Sequence, residues 1–429
     1  MKTILTILTM TMSLLLTAQN LYFPPSTGNW DTISPNSLNW CVNELDSLQQ
    51  FLEDKNTKGF IILKDGKIVT EWYFDGFAQD SLWYWASAGK TLTATLVGIA
   101  EQENHLNFTD ATSQYLGKWT SCSTVDEQQI TILNQLTMTS GLDDSEFDCT
   151  DSLCFTCLTS VNSRWAYHNS PYTLLTNVVE SATGQGYNLY LQQKINSKIG
   201  SSIFYLPFGN NRLAVSNTRD IARFGLLTLA KGNWNGTQVY DSTYYHLMTN
   251  TSQNLNPAYG YLWWLNGKSQ YMLPSSQITF NGKLVPNAPD DMFAALGKND
   301  QKIYVVPSEN MVVIRIGNSS GTSLFALSTF DNELWGKIND LSCTNSTSNF
   351  AKAEKNVTIY PNPTAGILNI KTAELIENIE VYSTFGQLLL NRKVVDNQLD
   401  ISNLESGIYY LKITLENGKV ITERLIKEN

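Results

Sequence analysis

The sequence is short of basic residues and histidines, and beyond its first residues it has no long apolar run. Its 29 basic residues are outnumbered by 39 acidic ones, which gives a formal net charge of -10 at pH 7. A chain of this charge repels phosphate backbones, so we expect no nucleic-acid partner. After residue 18 no stretch approaches 18 consecutive apolar residues, so we expect no transmembrane segment in the mature protein. The three histidines are His105, His168 and His246.

The length and the N-terminal segment indicate an exported globular protein. A chain of 429 residues with 42% hydrophobic and 16% charged residues can form two or three domains. Lys2 precedes an apolar run over residues 4–16, and the small residue Ala18 follows at a plausible cleavage position. This pattern predicts a secretory signal peptide over residues 1–18, with a buried N-terminal helix as the alternative.

The six cysteines are best explained as disulfide partners. Export places them in an oxidising compartment, and six cysteines allow three disulfides in 15 connectivities. One loop contains Cys149, Cys154 and Cys157, and Cys122 precedes it, so two local bridges can form there. A further bridge between the other two cysteines, residues 41 and 343, would join the ends of the main body. The Cys154-x-x-Cys157 pair could instead bind zinc, but no second close pair of cysteines or histidines accompanies it. We therefore expect no metal and no cofactor.

The pattern along residues 19–344 predicts a single α+β body. A β-hairpin is predicted at residues 59–73 around Asp65-Gly66, a strong two-residue turn signal. Helices are predicted at residues 37–53, 87–102, 218–230 and 323–341 from apolar spacing, and strands at residues 261–265, 292–296, 302–306 and 311–316. A hairpin first, helices in the middle and strands last suggest one sheet that combines both ends of the body.

A change of composition marks a second unit. Residues 345–356 are rich in Ser, Thr, Asn and Ala, which is typical of a linker. Short strands follow at residues 367–370, 379–382, 408–414 and 420–426, separated by Asn, Gly and Pro turns. Residues 357–429 are therefore predicted to form a small all-β sandwich.

Ser87-Ala-Gly-Lys90 is the pattern with the clearest chemistry. Residues three apart on a helix share one face, so the serine and the lysine can touch. The free N–H groups at the helix start can stabilise an oxyanion formed at the serine. A partly desolvated lysine has a lowered pKa and can accept the serine proton. The pattern alone is also compatible with a helix cap followed by a solvated lysine.

Tyr167-His168-Asn169 supplies a second group of polar residues about 80 residues later. Alternation along an extended loop lets Tyr167 and Asn169 face the same side. A phenol beside an ammonium can ionise more readily and act as general base and then general acid. The amide of Asn169 can hold the lysine or a substrate carbonyl. An ordinary buried tyrosine is the alternative.

A Ser-His-Asp triad is the weaker explanation of these residues. The sequence contains no Gly-x-Ser-x-Gly segment, which presents the serine in one large class of hydrolases. The alternation that brings Tyr167 and Asn169 together points His168 away from them.

In this combination the chain resembles the serine β-lactamase and penicillin-binding protein superfamily, especially its class C and esterase-like branch. The resemblance extends over roughly residues 37–343. It is carried by the two patterns above and by the segments at residues 136–142, 164–169, 171–175, 216–220 and 259–264. It implies a β-lactamase/transpeptidase-like fold, with an antiparallel sheet flanked by helices and a helical subdomain. It also implies that Ser87 is acylated, that Lys90 and Tyr167 handle protons, and that Asn169 binds substrate.

The third motif of this superfamily is altered here. The matching triplet is Ala295-Leu296-Gly297, followed by Lys298, where relatives usually have Lys-Thr-Gly or a His-x-Gly variant. Together with the Ser87 N–H, the N–H of Lys298 would complete the oxyanion hole. Ala295 cannot engage an anionic group such as a β-lactam carboxylate.

The resemblance and this departure lead to an expected function. We expect a secreted or cell-surface serine hydrolase that cleaves an ester or amide bond of a small-molecule or peptide-like substrate through a Ser87 acyl-enzyme. β-Lactamase or D-amino-acid peptidase activity is one alternative. A catalytically weakened binding or sensor protein on the same fold is another.

The tail has its own resemblance. Tyr360-Pro-Asn-Pro, the segments at residues 381–387, 399–404 and 406–410, and the final Leu425-Ile-Lys resemble a type IX secretion (Por) C-terminal sorting domain. The resemblance implies passage across the outer membrane by the type IX secretion machinery and removal of the domain. A carbohydrate-binding or adhesive β-module is the alternative.

Overall fold

The computed structural model describes residues 21–145, 149, 151–209, 211–321, 326–343, 357–372, 374–384, 386–393, 397–416 and 418–428. The predicted signal peptide (1–18) and linker (345–356) lie outside the described residues. Among the helices of the described part, none is both long and apolar enough to cross a membrane.

Most of the helices lie between an early hairpin and a late group of strands, whereas the first helix precedes the hairpin and the last helix follows those strands. They are α1 (Val42–Asp54), α2 (Gly89–Gln102), α3 (Ser113–Leu116), α4 (Thr124–Glu127), α5 (Ile132–Leu136), α6 (Asn169–Thr173), α7 (Leu175–Thr183), α8 (Tyr187–Leu191), α9 (Ser197–Ile199), α10 (Thr218–Leu229), α11 (Ser242–Met248) and α12 (Thr329–Asp340). Helix α2 is buried on all sides from Gly89 to Ala100, as expected for a helix with apolar residues or threonine around most of its circumference.

The strands of the body are β1 (Thr57–Lys64), β2 (Lys67–Tyr73), β3 (Trp83–Tyr84), β4 (Phe204–Phe208), β5 (Asn211–Ser216), β6 (Asn233–Trp234), β7 (Thr237–Gln238), β8 (Trp264–Leu265), β9 (Gln270–Met272), β10 (Thr279–Asn281), β11 (Phe293–Gly297), β12 (Gln301–Val306) and β13 (Met311–Gly317). Those of the tail are β14 (Val357–Tyr360), β15 (Ile367–Thr372), β16 (Ile376–Ser383), β17 (Leu388–Arg392), β18 (Gln398–Asp400), β19 (Gly407–Leu415) and β20 (Val420–Lys427).

The main sheet joins the two ends of the body. Its order is β2-β1-β13-β12-β11-β8, and each neighbouring pair is antiparallel. The early hairpin therefore pairs with the last strand of the body, and the predicted combination of both ends in one sheet is confirmed. The hairpin turn is also confirmed: Asp65 and Gly66 have φ values of 52° and 82°, the left-handed geometry that a tight hairpin turn requires.

Helices cover both faces of this sheet. Neighbouring strand residues point to opposite faces. On one face, α10 passes so close that a Cβ added to Gly225 would lie 3.3 Å from Ile303. On the other face, Tyr304 contacts Trp335 of α12 edge-on, with ring centroids 5.7 Å apart.

One predicted strand is partly wrong. The prediction covered residues 261–265, but the strand comprises only Trp264–Leu265. Leu262 has a φ of 61°, and the N–H groups of Tyr261 and Leu262 donate to Met248 and Leu136. Met248 ends α11 and Leu136 ends α5, so these donors bond to helix ends rather than to a neighbouring strand, which the local apolar run could not indicate.

Three disulfides connect the cysteines. They join Cys41 to Cys343, Cys122 to Cys157, and Cys149 to Cys154. The expected long bridge and two local bridges are confirmed, and the two cysteines of the alternative zinc site belong to different bridges.

The tail forms two sheets around a core of its own. The sheet order is β14-β15-β18 in one and β17-β16-β19-β20 in the other. Alternate residues along β19 are buried, including Leu411, Ile413 and Leu415. The predicted all-β sandwich is therefore confirmed.

Candidate active site

Ser87 lies in a short 3-10 turn, Ala86–Ala88, that leads directly into α2. Sequence periodicity predicts one helix from residue 87, whereas the α-helix itself begins at Gly89. Ala86 has a φ of 49°, a left-handed conformation that costs roughly 1–2 kcal/mol for a residue with a Cβ. Such strain tends to occur at functional sites. The turn leaves Ser87 half-buried, with its hydroxyl directed at Lys90.

Lys90 lies one turn further along and contacts residues from both sequence patterns. Its Nζ is 2.7 Å from Ser87 Oγ and 2.8 Å from Asn169 Oδ1. The residue is 1% exposed, and within the described residues it forms no ion pair. Burial therefore lowers the pKa of Lys90 well below its ordinary value, since no anion compensates the lost solvation. The lysine is suited to accept a proton.

Tyr167 reaches the same hydroxyl from the opposite segment. The Ser87 side chain is near enough to affect the ionisation of this phenol. Burial raises the pKa of Tyr167 above its ordinary value, and the interaction with Ser87 only partly opposes this rise. The expected easier ionisation beside an ammonium is therefore wrong, because the desolvated lysine favours its neutral form. Tyr167 is suited to donate a proton.

Three aromatic residues enclose the Tyr167 ring. Trp264 stacks on it at 5.7 Å, and the rings of Tyr259 and Trp165 lie 6.2 and 6.4 Å away. The same three rings also contact one another, at 5.0 to 6.0 Å. Trp264 therefore helps to create the apolar surroundings of the phenol.

The third-motif segment forms β11 and the turn after it. Ala295 and Leu296 are buried within the strand, and Lys298 is exposed at the start of the turn. Gly297 lies against the turn that carries Ser87: an added Cβ would be 2.5 Å from the Trp85 carbonyl oxygen and 3.0 Å from the Ala88 nitrogen. The structure thus brings the end of β11 beside the turn that carries Ser87.

Sequence reasoning missed the residues that support this turn. Asn299 and Asp300 both have left-handed φ values, 61° and 59°. The Gln301 amide donates to the Lys298 and Asn299 carbonyls at 3.2 and 2.9 Å. Arg315, 0% exposed, donates to the Asn299 and Asp300 carbonyls at 2.9 and 3.1 Å. A glutamine and an arginine on strands carry no local signal of this role.

Replacing Gly297 by alanine should reduce both stability and reactivity. The added Cβ meets backbone atoms, which cannot move aside as a flexible side chain can, so β11 must separate from the Ser87 turn. Overpacking of this kind costs about 1–3 kcal/mol, which urea unfolding would measure. Gly321→Ala is the control, because an added Cβ there meets no atom within 4 Å. Equal stability of the two variants would contradict the close approach.

His168 points away from Ser87, as the alternation predicts. It is 3% exposed, and its ring meets Phe155 of the cysteine-rich loop edge-on at 6.1 Å. Burial lowers the pKa of His168 to about 4, although the nearby Asp144 and Asp143 oppose this shift. His168 is therefore neutral near pH 7, and its side chain lies on the opposite side of the segment from those of Tyr167 and Asn169.

The neutral state of His168 should make stability fall on acidification. Between pH 6.5 and 4 the unfolded chain binds a proton at this residue and the folded chain does not, so the free energy of unfolding falls as the pH falls. The shift corresponds to about 3 kcal/mol. Urea unfolding of wild type and His168→Phe at pH 7 and pH 4.5 measures it.

The variant comparison is needed because Asp220 acts in the opposite direction. Burial raises the pKa of Asp220 to about 6, so this group stabilises the folded chain as the pH falls. His168→Phe should lose less stability than wild type over the interval. Identical losses would show that His168 is solvated in the folded state.

Comparisons with known proteins give two family matches. Residues 47–333 match the β-lactamase family, and residues 358–428 match the secretion system C-terminal sorting domain. An uncharacterized protein of Alkalihalophilus pseudofirmus is 25% identical over 315 residues, 63% of this chain and 86% of that protein. Beta-agarase D of Zobellia galactanivorans is 34% identical over 68 residues, 16% of this chain and 14% of the agarase.

Solved structures show the same fold. A Bacillus anthracis protein described as a candidate 6-aminohexanoate-dimer hydrolase superposes with a TM-score of 0.57 at 17% identity, covering 74% of this chain and 89% of that one. A penicillin-binding protein homologue from Caulobacter crescentus has a TM-score of 0.54 at 13% identity, covering 70% of this chain and 98% of that one. The expected β-lactamase/transpeptidase-like fold is confirmed.

The tail match also establishes the destination of the protein. A sorting domain of this type indicates type IX secretion to the cell surface or the exterior. The chain therefore belongs to the β-lactamase family and carries a C-terminal secretion sorting domain.

Proposed function

We propose that this protein is a serine hydrolase that cleaves an ester or amide bond through an acyl-enzyme on Ser87. The observation that carries the proposal is the 2.7 Å hydrogen bond between Ser87 Oγ and the Nζ of a buried lysine that has no counter-ion among the described residues. A buried amine without a counter-ion is a proton acceptor near neutral pH.

The lowered pKa of Lys90 and the raised pKa of Tyr167 give each residue its proposed role in acylation. Ser87 Oγ attacks the substrate carbonyl carbon and gives its proton to the neutral Lys90 amine. When the tetrahedral intermediate collapses, the Tyr167 phenol gives its proton to the departing alcohol or amine, and the Lys90 ammonium restores the phenol. Ser87 is left acylated, and the net proton has moved from the serine to the leaving group.

Deacylation uses the same groups with water as the nucleophile. Water gives a proton to the base, attacks the acyl carbon, and releases the acid while Ser87 regains its proton. The Ser87 and Lys298 N–H groups are the proposed donors to the oxyanion in both steps. The approach of Gly297 to the Ser87 turn supports this assignment.

The substrate is proposed to be neutral at the position that the third motif contacts. Ala295 supplies no cation there, and Lys298 is exposed beyond the strand. An anionic β-lactam or a D-amino-acid carboxylate therefore has no partner at this point. We assign residues 19–344 to the hydrolase domain and residues 357–429 to the sorting domain, which engages the type IX secretion machinery.

An activity-based fluorophosphonate probe tests the proposal. Wild type should be labelled at one residue and Ser87→Ala not at all, because the probe needs an activated serine. Ser202→Ala, which changes an exposed serine, is the control and should label normally. Labelling of Ser87→Ala equal to that of wild type would refute the assignment.

A substrate panel separates the alternatives. It should contain neutral esters, linear amides, D-alanyl peptides and nitrocefin, because the similar solved structures include proteins named for amide and β-lactam chemistry. Preference for neutral esters or amides is expected. Rapid nitrocefin hydrolysis would favour β-lactamase activity, and ligand binding with no turnover would favour a sensor.

A further inference from the structure

Tyr172 contacts the proton-accepting nitrogen although neither sequence pattern includes it. Lys90 Nζ lies 4.0 Å from the centroid of the Tyr172 ring and 4.7 Å from that of Tyr167. It also contacts Ser87 Oγ and Asn169 Oδ1. The nitrogen is thus placed between two polar atoms and two aromatic faces.

The position of Tyr172 follows from the helix that carries Asn169. Both residues belong to α6, and a spacing of three places them on one helix face. Ser87 and Lys90 have the same spacing. Two short segments, each with an i and i+3 pair, therefore meet at the lysine nitrogen.

The bonds of a neutral amine explain why the ring matters. Such a nitrogen has two N–H bonds and one lone pair, and the lone pair must point at the Ser87 hydroxyl to accept its proton. One N–H can donate to Asn169 Oδ1. The ring face of Tyr172, at 4.0 Å, is positioned to receive the other, since an aromatic face attracts a positively polarised hydrogen.

We propose that Tyr172 is a positioning residue whose ring face holds the second N–H of Lys90 and thereby directs the amine lone pair at Ser87. The inference rests on the proposed function of Ser87 and Lys90 and adds a specific requirement to it. The requirement is an aromatic face, and the Tyr172 hydroxyl is not needed.

The groups around Lys90 determine the direction of the pH effect. The titratable neighbours of its nitrogen are the phenols of Tyr167 and Tyr172, and burial raises the pKa of both, the latter to about 12. Two more phenols, those of Tyr187 and Tyr205, pack beside a later part of α2, where both hydrogen-bond Thr93. All four stay neutral near pH 7. The Tyr172 ring also attracts an ammonium, so removing the ring should favour the neutral amine.

The experiment compares Tyr172→Phe with Tyr172→Leu in the full chain. The readout is the second-order rate constant for fluorophosphonate labelling between pH 5 and 10. Fluoride leaves without a proton, so the rate reports only the activation of Ser87. The Phe variant should label within about twofold of wild type. The Leu variant should label about 10- to 100-fold more slowly at the plateau of its pH–rate profile. The acidic limb of that profile, where the rate falls as Lys90 is protonated, should move to lower pH.

Other outcomes contradict the proposal. An acidic limb that moves to higher pH in the Leu variant would mean that water has entered and that the ring only filled space. A Phe variant as slow as the Leu variant would assign the role to the hydroxyl, and a Leu variant as fast as wild type would remove any role. A wild-type protein that is not labelled would instead refute the proposed function itself.

Discussion

Replacing Lys90 by methionine should reduce the acylation rate on the order of 10³- to 10⁴-fold while leaving the folded protein at least as stable. The rate falls because Ser87 loses the group that accepts its proton. Stability does not fall because methionine has a similar length and brings no charge into a site that is 1% exposed. Stopped-flow acylation and urea unfolding measure the two effects.

The pH dependence of stability adds an independent check on Lys90. Its pKa in the folded state is well below the ordinary value, so at pH 7 the unfolded chain binds a proton that the folded chain disfavours. Wild-type stability should therefore rise as the pH rises toward 10, and the methionine variant should lack this part of the rise.

Lys90→Arg separates proton transfer from charge. Arginine is longer and always charged, so it cannot accept the proton, and burying it without a partner should destabilise the fold. A methionine variant that acylates at near the wild-type rate would contradict the role of Lys90, and an active arginine variant would do the same.

Removing the Cys41–Cys343 bridge should cause the largest loss of stability among changes away from the active site. The bridge spans 302 residues, so opening it releases the unfolded chain from a very long loop. The chain-entropy model gives about 6 kcal/mol for such a loop. Urea unfolding of a variant with serine at both positions measures the loss.

The bridge lies where the two ends of the body meet, away from the candidate catalytic residues in the chain. Cys41 N–H donates to Leu341, and Cys343 N–H donates to Asn39. The folded variant should therefore keep its labelling rate. The matched comparison removes Cys122–Cys157, which spans 35 residues and should cost about 3–4 kcal/mol. A larger loss from the shorter loop would contradict the entropic explanation.

The elements that the sequence predicted well depend on near neighbours in the chain. The i and i+3 spacing of Ser87 and Lys90 requires only that their segment be helical. The turn at Asp65-Gly66 requires only two residues that tolerate a positive φ. The alternation that separates His168 from Tyr167 and Asn169 is equally local. These patterns therefore located the candidate nucleophile and its partners before any tertiary information.

The missed features depend on residues far apart in sequence. Two of the rings around Tyr167 come from residues 259 and 264, and part of the support for the turn at Asn299 comes from Arg315. No local period records such contacts. For the same reason the apolar run at residues 261–263 was predicted as strand, although the N–H groups of Tyr261 and Leu262 donate to carbonyls at the ends of α11 and α5.

The sequence by itself determined the composition of the candidate site: a serine, a lysine, a tyrosine and an asparagine at spacings that allow them to meet, with a sorting domain after them. Only the tertiary structure decided how the protons are held. Lys90 and Tyr167 lie in surroundings assembled from distant segments, and desolvation there favours the neutral form of each. The solvation of an ionisable group is a sum over everything packed around it, so the fold, rather than the local sequence, supports the proposed roles of the lysine as acceptor and the tyrosine as donor.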